Sequence, residues 1–123
     1  MIEHIRQRIA HAPRIPLGVW PTPFMAMDHL RETIGSSCPR LWVKREDLTP
    51  LGAGGNKVRK LEFVLARAMA EGADVLLNTG EVQSNQVVQT AAAAAHLGIP
   101  CELFLGCMDP PLSEDEKDTG NIL

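Results

Sequence analysis

Apolar residues fall three and four positions apart at Val58, Leu61, Val64, Leu65, Ala68 and Met69, which predicts an amphipathic helix over residues 56–71, stopped by Gly72. The short apolar run over 74–79 suits a strand buried in a parallel sheet. Residues 85–97 are rich in alanine, the strongest helix former, and the pattern closes at Gly98. Residues 101–105 read as the next strand. Upstream, residues 41–45 predict a strand with a polar exit at Glu46 and Asp47, and Thr22 opens an expected helix over 24–34, ended by Gly35. Ahead of it, Pro13, Pro16, Pro21 and Pro23 impose an extended, irregular lead-in.

Strand, helix, strand, helix, strand with short connections is the pattern of an α/β fold, a parallel sheet with flanking helices. Ligands of such sheets sit beyond the carboxyl ends of the strands, where loops lead into helices. Two polar stretches occupy such loops. The first, Gly-Gly-Asn-Lys-Val-Arg-Lys at 54–60, places Lys57, Arg59 and Lys60 at a helix start. That end already carries roughly half a positive charge, so three cations there imply an anion to hold. Its spacing fits neither a nucleotide P-loop nor a dinucleotide fingerprint: Asn56 precedes the lysine, and Val58 stands where a magnesium-binding hydroxyl would be. Lys57 and Lys60 share a helix face; the alternative is that both are ordinary solvated lysines. The second stretch, Gln-Ser-Asn-Gln at 83–86, crowds hydrogen-bonding side chains onto another helix start. A plain N-cap at Ser84 or Asn85, worth about 1 kcal/mol, explains one of them. A bound carboxylate explains more of the pattern.

Composition narrows the classes. The chain has 123 residues, 45% of them hydrophobic, and a net charge of −3, as fits one globular domain or part of a larger one. Its basic residues form no extended stripe, which argues against nucleic acid as a partner. Cys38, Cys101 and Cys107 make no Cys-x-x-Cys pair, so a reducing cytoplasm is expected rather than a disulfide framework or a zinc site. The four histidines have no metal-ligand spacing, and no metal is expected. The first residues carry scattered charges rather than a secretory signal, and no apolar run is long enough for a membrane span.

Three stretches, Trp-Val-Lys-Arg-Glu-Asp at 42–47, Gly-Gly-Asn-Lys-Val-Arg-Lys-Leu-Glu-Phe at 54–63 and Gln-Ser-Asn-Gln at 83–86, resemble the 1-aminocyclopropane-1-carboxylate deaminase / D-cysteine desulfhydrase family. The resemblance runs from about Pro13 to Leu105. It implies a pyridoxal-phosphate enzyme of fold type II, the tryptophan synthase β-like fold, and pyridoxal 5′-phosphate as cofactor. Carried over by motif, it implies that Lys57 forms the Schiff base and later acts as base, and that Lys60 neutralises the cofactor phosphate. Asn85 would hold the ring hydroxyl oxygen. Ser84, Asn85 and Gln86 would receive the carboxylate of a small amino-acid substrate, with Ser84 near the reacting carbon. The reaction implied is elimination from D-cysteine or deamination of the cyclopropane amino acid, in a homo-oligomer. Val58 and Val88 stand where the family often has Thr and Arg. Gln86 is the deaminase-like choice, whereas the proline-rich start and Trp42 lean towards the desulfhydrases.

Family members are more than twice this long, so the chain reads as their leading portion. Residues 1–48 would be the lead segment of the large domain, residues 49–108 the start of the small α/β domain, and residues 109–123 an acidic tail. The family's glycine-rich phosphate cradle and pyridine-nitrogen partner have no candidate here. Two other readings stay open: a catalytically incomplete fragment or accessory chain, and a phosphate-binding α/β module without imine chemistry.

Overall fold

A computed structural model describes residues 1–106. The expected tail and Cys107 lie outside those residues. The expected helices and strands of the second half are all present: α3 (Val58–Ala70), β3 (Leu76–Glu81), α4 (Asn85–Leu97) and β4 (Cys101–Gly106). Gly72 and Gly98 follow the two helices at φ +80° and +69°, left-handed positions that glycine adopts without a Cβ penalty. β3 and β4 pair in parallel, Leu76 opposite Cys101 through Glu81 opposite Gly106. Alternation along β3 turns Leu76 and Asn78 inward and leaves Leu77 and Thr79 exposed.

The first half differs from expectation. Residues 24–34 do not form one helix: β1 (Phe24–Ala26) comes first, then α2 (Asp28–Ile34). The expected strand over 41–45 shortens to β2 (Trp42–Lys44), which pairs antiparallel with β1 and not with the parallel sheet. The cause is a cross-strand contact: Phe24 and Trp42 stack with ring centroids 5.0 Å apart. An unexpected helix, α1 (Ile2–His11), opens the chain and buries none of its residues.

The core gathers where α3 and α4 meet β3. Leu17, Val58, Leu61, Leu65, Leu76, Ala93 and Ala94 are buried together, with Ile15, Trp20 and Leu51 against them. Val64 and Met69, inside the same helical pattern, remain exposed. The proline-rich lead-in contributes Leu17 to this core because one carboxylate holds it there. Glu62, in α3, is fully buried and accepts from the Leu17 and Gly18 N–H groups at 2.9 and 3.0 Å and from Trp20 Nε1 at 2.9 Å. Arg14 Nε donates to its other oxygen at 2.5 Å. Burial pushes the Glu62 carboxyl up, but the donors from Trp20, Leu17, Gly18 and Arg14 outweigh it and hold it below the usual carboxylate range.

Candidate active site

Residues 49–57 cross from the η1 turn (Glu46–Leu48) to α3 as a loop of small residues. Gly52, Gly54 and Gly55 all have positive φ, at +59°, +86° and +127°. The reason is close packing. A Cβ on Gly54 would collide with the Asp47 carbonyl, and one on Gly55 with the Asn85 and Gln89 side-chain amides. A Cβ on Gly52 would stand 3.1 Å from Gln89 Cα. The glycine loop therefore lies flat on the first turns of α4, and Asn85 comes to rest beside Gly55. The two polar stretches, some thirty residues apart in sequence, form one place.

The cations at the start of α3 divide. Arg59 does not face a ligand: its Nε and Nη2 grip Glu46 at 2.6 and 2.7 Å, Nη2 also donates to Thr22 Oγ1 at 3.1 Å, and its guanidinium lies 4.1 Å over the Trp20 ring. Its anion is internal to the chain. Arg59, then Thr22, hold the Glu46 carboxyl at a pKa of about 2. The neighbouring acid Asp47 pairs with Arg45. Glu46 and Asp47 thus make separate ion pairs rather than a paired-acid site. Lys57 has no such partner. Among the described residues its Nζ donates only to the neutral Asn56 Oδ1, at 3.1 Å, and Lys60 is exposed without a side-chain partner. Among the described residues, Lys57 and Lys60 thus have no acidic partner.

At the start of α4, Ser84 is the N-cap, its Oγ accepting from the Val87 N–H at 3.4 Å. The hydroxyl proton is left to donate elsewhere. Helix geometry leaves the N–H groups of Asn85 and Gln86 without an intrahelical acceptor. The close seat of this turn on β3 depends on Gly80, where a Cβ would lie 2.7 Å from Val87 Cγ2 and 3.0 Å from Ser84 Oγ. The Gln86 side chain is partly engaged within α4: its Nε2 donates to Thr90 Oγ1 at 3.1 Å, and its buried Oε1 has no partner among the described residues. The second Nε2 proton and the backbone N–H remain to meet an anion.

Sequence reasoning missed Gln89. It is fully buried, its Oε1 accepts from the Val58 N–H at 3.0 Å, and its Nε2 donates to the Gly54 carbonyl. Its signal was available: Gln89 and Thr90 are polar residues inside an alanine-rich helix, and Gln89 lies one turn after Asn85 on the same face.

The donor set suits a ligand with an aldehyde, a phosphate and a ring hydroxyl. The site offers an amine without an acidic partner among the described residues, a second cation one turn away, a carboxamide beside the loop and helical N–H groups, donors of the kind that hold an anionic ligand. A profile of the family described as pyridoxal-phosphate dependent enzyme matches residues 15–119. A D-cysteine desulfhydrase of Serratia proteamaculans is 40% identical over 115 residues, which cover 94% of this chain and 33% of the relative. One from Klebsiella pneumoniae is 43% identical over 117 residues, 95% of this chain and 35% of the relative. The solved structure of an ACC deaminase homologue superposes with a TM-score of 0.74 at 42% identity, over 82% of this chain and 30% of that one. The chain spans about a third of the length of the curated relatives it matches.

Proposed function

This chain belongs to the pyridoxal-phosphate dependent enzyme family, and from that premise we propose that residues 54–60 and 84–86 form the lysine-bearing side of an active site for elimination or deamination of a small amino acid. The observation that carries the reading is Lys57: among the described residues its amine hydrogen-bonds only the neutral Asn56 Oδ1, and its loop is packed directly against Asn85. Lys57 would hold the cofactor and Lys60 would neutralise its phosphate. Asn85 would hold the ring oxygen. When bound, pyridoxal phosphate supplies an electron sink for the substrate carbon. The remaining work belongs to the chain. The N–H groups of Asn85 and Gln86 and the Ser84 hydroxyl orient the substrate carboxylate, and with a D-cysteine-like substrate Lys57 Nζ takes the α-proton; the cyclopropane amino acid has no α-hydrogen, so its ring opening begins differently. The names of the relatives support D-cysteine as substrate class, with the cyclopropane amino acid as the other candidate. A reducing cytoplasm belongs to the same reading, since Cys38 and Cys101 are unpaired. So does a homo-oligomer.

The test is reductive fixation. The full chain is mixed with pyridoxal phosphate, reduced with borohydride and mapped by peptide mass. Fixation at Lys57, lost in Lys57→Ala, supports the proposal. Saturable binding of inorganic phosphate with no fixation would instead make the site a phosphate-holding module, and the absence of both would favour a catalytically incomplete fragment.

A further inference from the structure

We propose that Gln89 is the positioning residue for Lys57, a single buried amide that fixes both ends of the lysine-bearing segment to α4. The inference rests on the reading of Lys57 as the amine that holds the cofactor. Residues 54–58 are bracketed by it: Gln89 Nε2 donates to the carbonyl at the first residue, Gly54, and Gln89 Oε1 accepts from the N–H at the last, Val58. Lys57 lies inside the bracket. Other backbone groups of this stretch bond within their own loop, Gly55 N–H to the Glu46 carbonyl at 2.8 Å and Gly55 carbonyl from Thr49 Oγ1 at 2.9 Å. Among the described residues, Gln89 is the side chain of α4 that hydrogen-bonds the segment.

The arrangement admits one sense of the amide, since a carbonyl must meet the Val58 N–H and an NH2 the Gly54 carbonyl. It also uses the Val58 N–H, one of the helical donors that α3 cannot satisfy by itself. With no exposure to solvent, Gln89 cannot exchange either partner for water without opening the packing around Ala93 and Val58. Because Asn85 lies one turn earlier on the same helix face, fixing the segment to Gln89 also fixes the Lys57 backbone relative to Asn85. A lysine on a glycine-rich loop would otherwise sample many placements, and orientation of this kind is a large part of what an active site contributes.

The test uses the full chain and pyridoxal phosphate with borohydride. Gln89→Leu keeps the bulk and removes both bonds. Folded Gln89→Leu, judged by its far-ultraviolet circular dichroism, should show fixation at Lys57 reduced about tenfold or more, with preference over Lys60 and Lys44 lost. Gln89→Glu keeps the acceptor for Val58 and should fall between. A folded Gln89→Leu that labels Lys57 as selectively as the unsubstituted chain overturns the proposal while leaving the site reading intact. No fixation in the unsubstituted chain overturns both. If Gln89→Leu does not fold, the unsubstituted chain decides. Fixation at Lys57 should shift the Gln89 side-chain amide resonances and leave those of Gln7 on α1 unmoved, and an unshifted Gln89 sinks the idea.

Discussion

Arg59 and Lys57 stand two residues apart at the start of α3, and the fold treats them in opposite ways. Arg59 is surrounded: a carboxylate, a hydroxyl and an indole face all come from its own chain. Lys57 is given one neutral oxygen. The same division separates two larger regions. Around Glu62 every donor is matched, and the charge serves to fasten the lead-in to the core. Around Lys57 and the start of α4, an amine without an acidic partner, two helical N–H groups and the buried Gln86 Oε1 are left over among the described residues. Charge answered within the chain builds the fold, and charge unanswered among the described residues is what the proposed site rests on.

The comparison can be broken first at its saturated side. Glu62→Gln would leave Arg14 without its anion, and removing one member of such a pair should lower stability by about 3 kcal/mol, read from urea unfolding. A result within about 0.5 kcal/mol, the usual range for surface sites, would show that the buried carboxylate does not fasten the lead-in. The junction of the two regions comes next. Gly55→Ala forces a Cβ onto Asn85 and Gln89 at φ +127° and should cost about 2 kcal/mol, with fixation of pyridoxal phosphate at Lys57 falling in parallel.

Acid then tests the pairing of Arg59. The Glu46 carboxyl sits at about 2 in the folded chain, below its ordinary 4.5, so its contribution is complete above pH 4.5 and is lost as the pH falls towards 2. Arg59→Gln should weaken that acid dependence, leaving the part due to Thr22, and remove about 1 kcal/mol at neutral pH, as read from urea unfolding at several pH values. The smallest effect is expected at Lys60. Lys60→Ala should alter stability by less than about 0.5 kcal/mol, yet weaken binding of pyridoxal phosphate several-fold, as measured by titration.

Local patterns foretold α3, α4, β3 and β4 because period and capping are written in neighbouring residues. The strand β1 was not legible: three residues take their conformation from Trp42, Val43 and Lys44, which lie across the sheet. α1 has Ile2, Ile5 and Ile9 at helical spacing, but the charges scattered among them and the lack of any buried residue leave that signal weak. Within the candidate site, the motifs single out Lys57 and Asn85, and the structure brings their loops together at Gly55. The polarity of Gln89 inside an alanine-rich helix was visible, but its partners 31 and 35 positions away were not, nor were those of Glu62, 42 to 48 away. Sequence shows which groups are unusual and leaves the distances between them to the fold.

Trp20 touches both outcomes at once. Its ring lies beneath Arg59, its Nε1 hydrogen-bonds Glu62, and the chain holds only one other tryptophan. That indole is a built-in optical gauge: with Trp42 replaced by phenylalanine, the colour of its emission would register any loosening of the lead-in from α3, in a chain that carries no tyrosine to blur the signal.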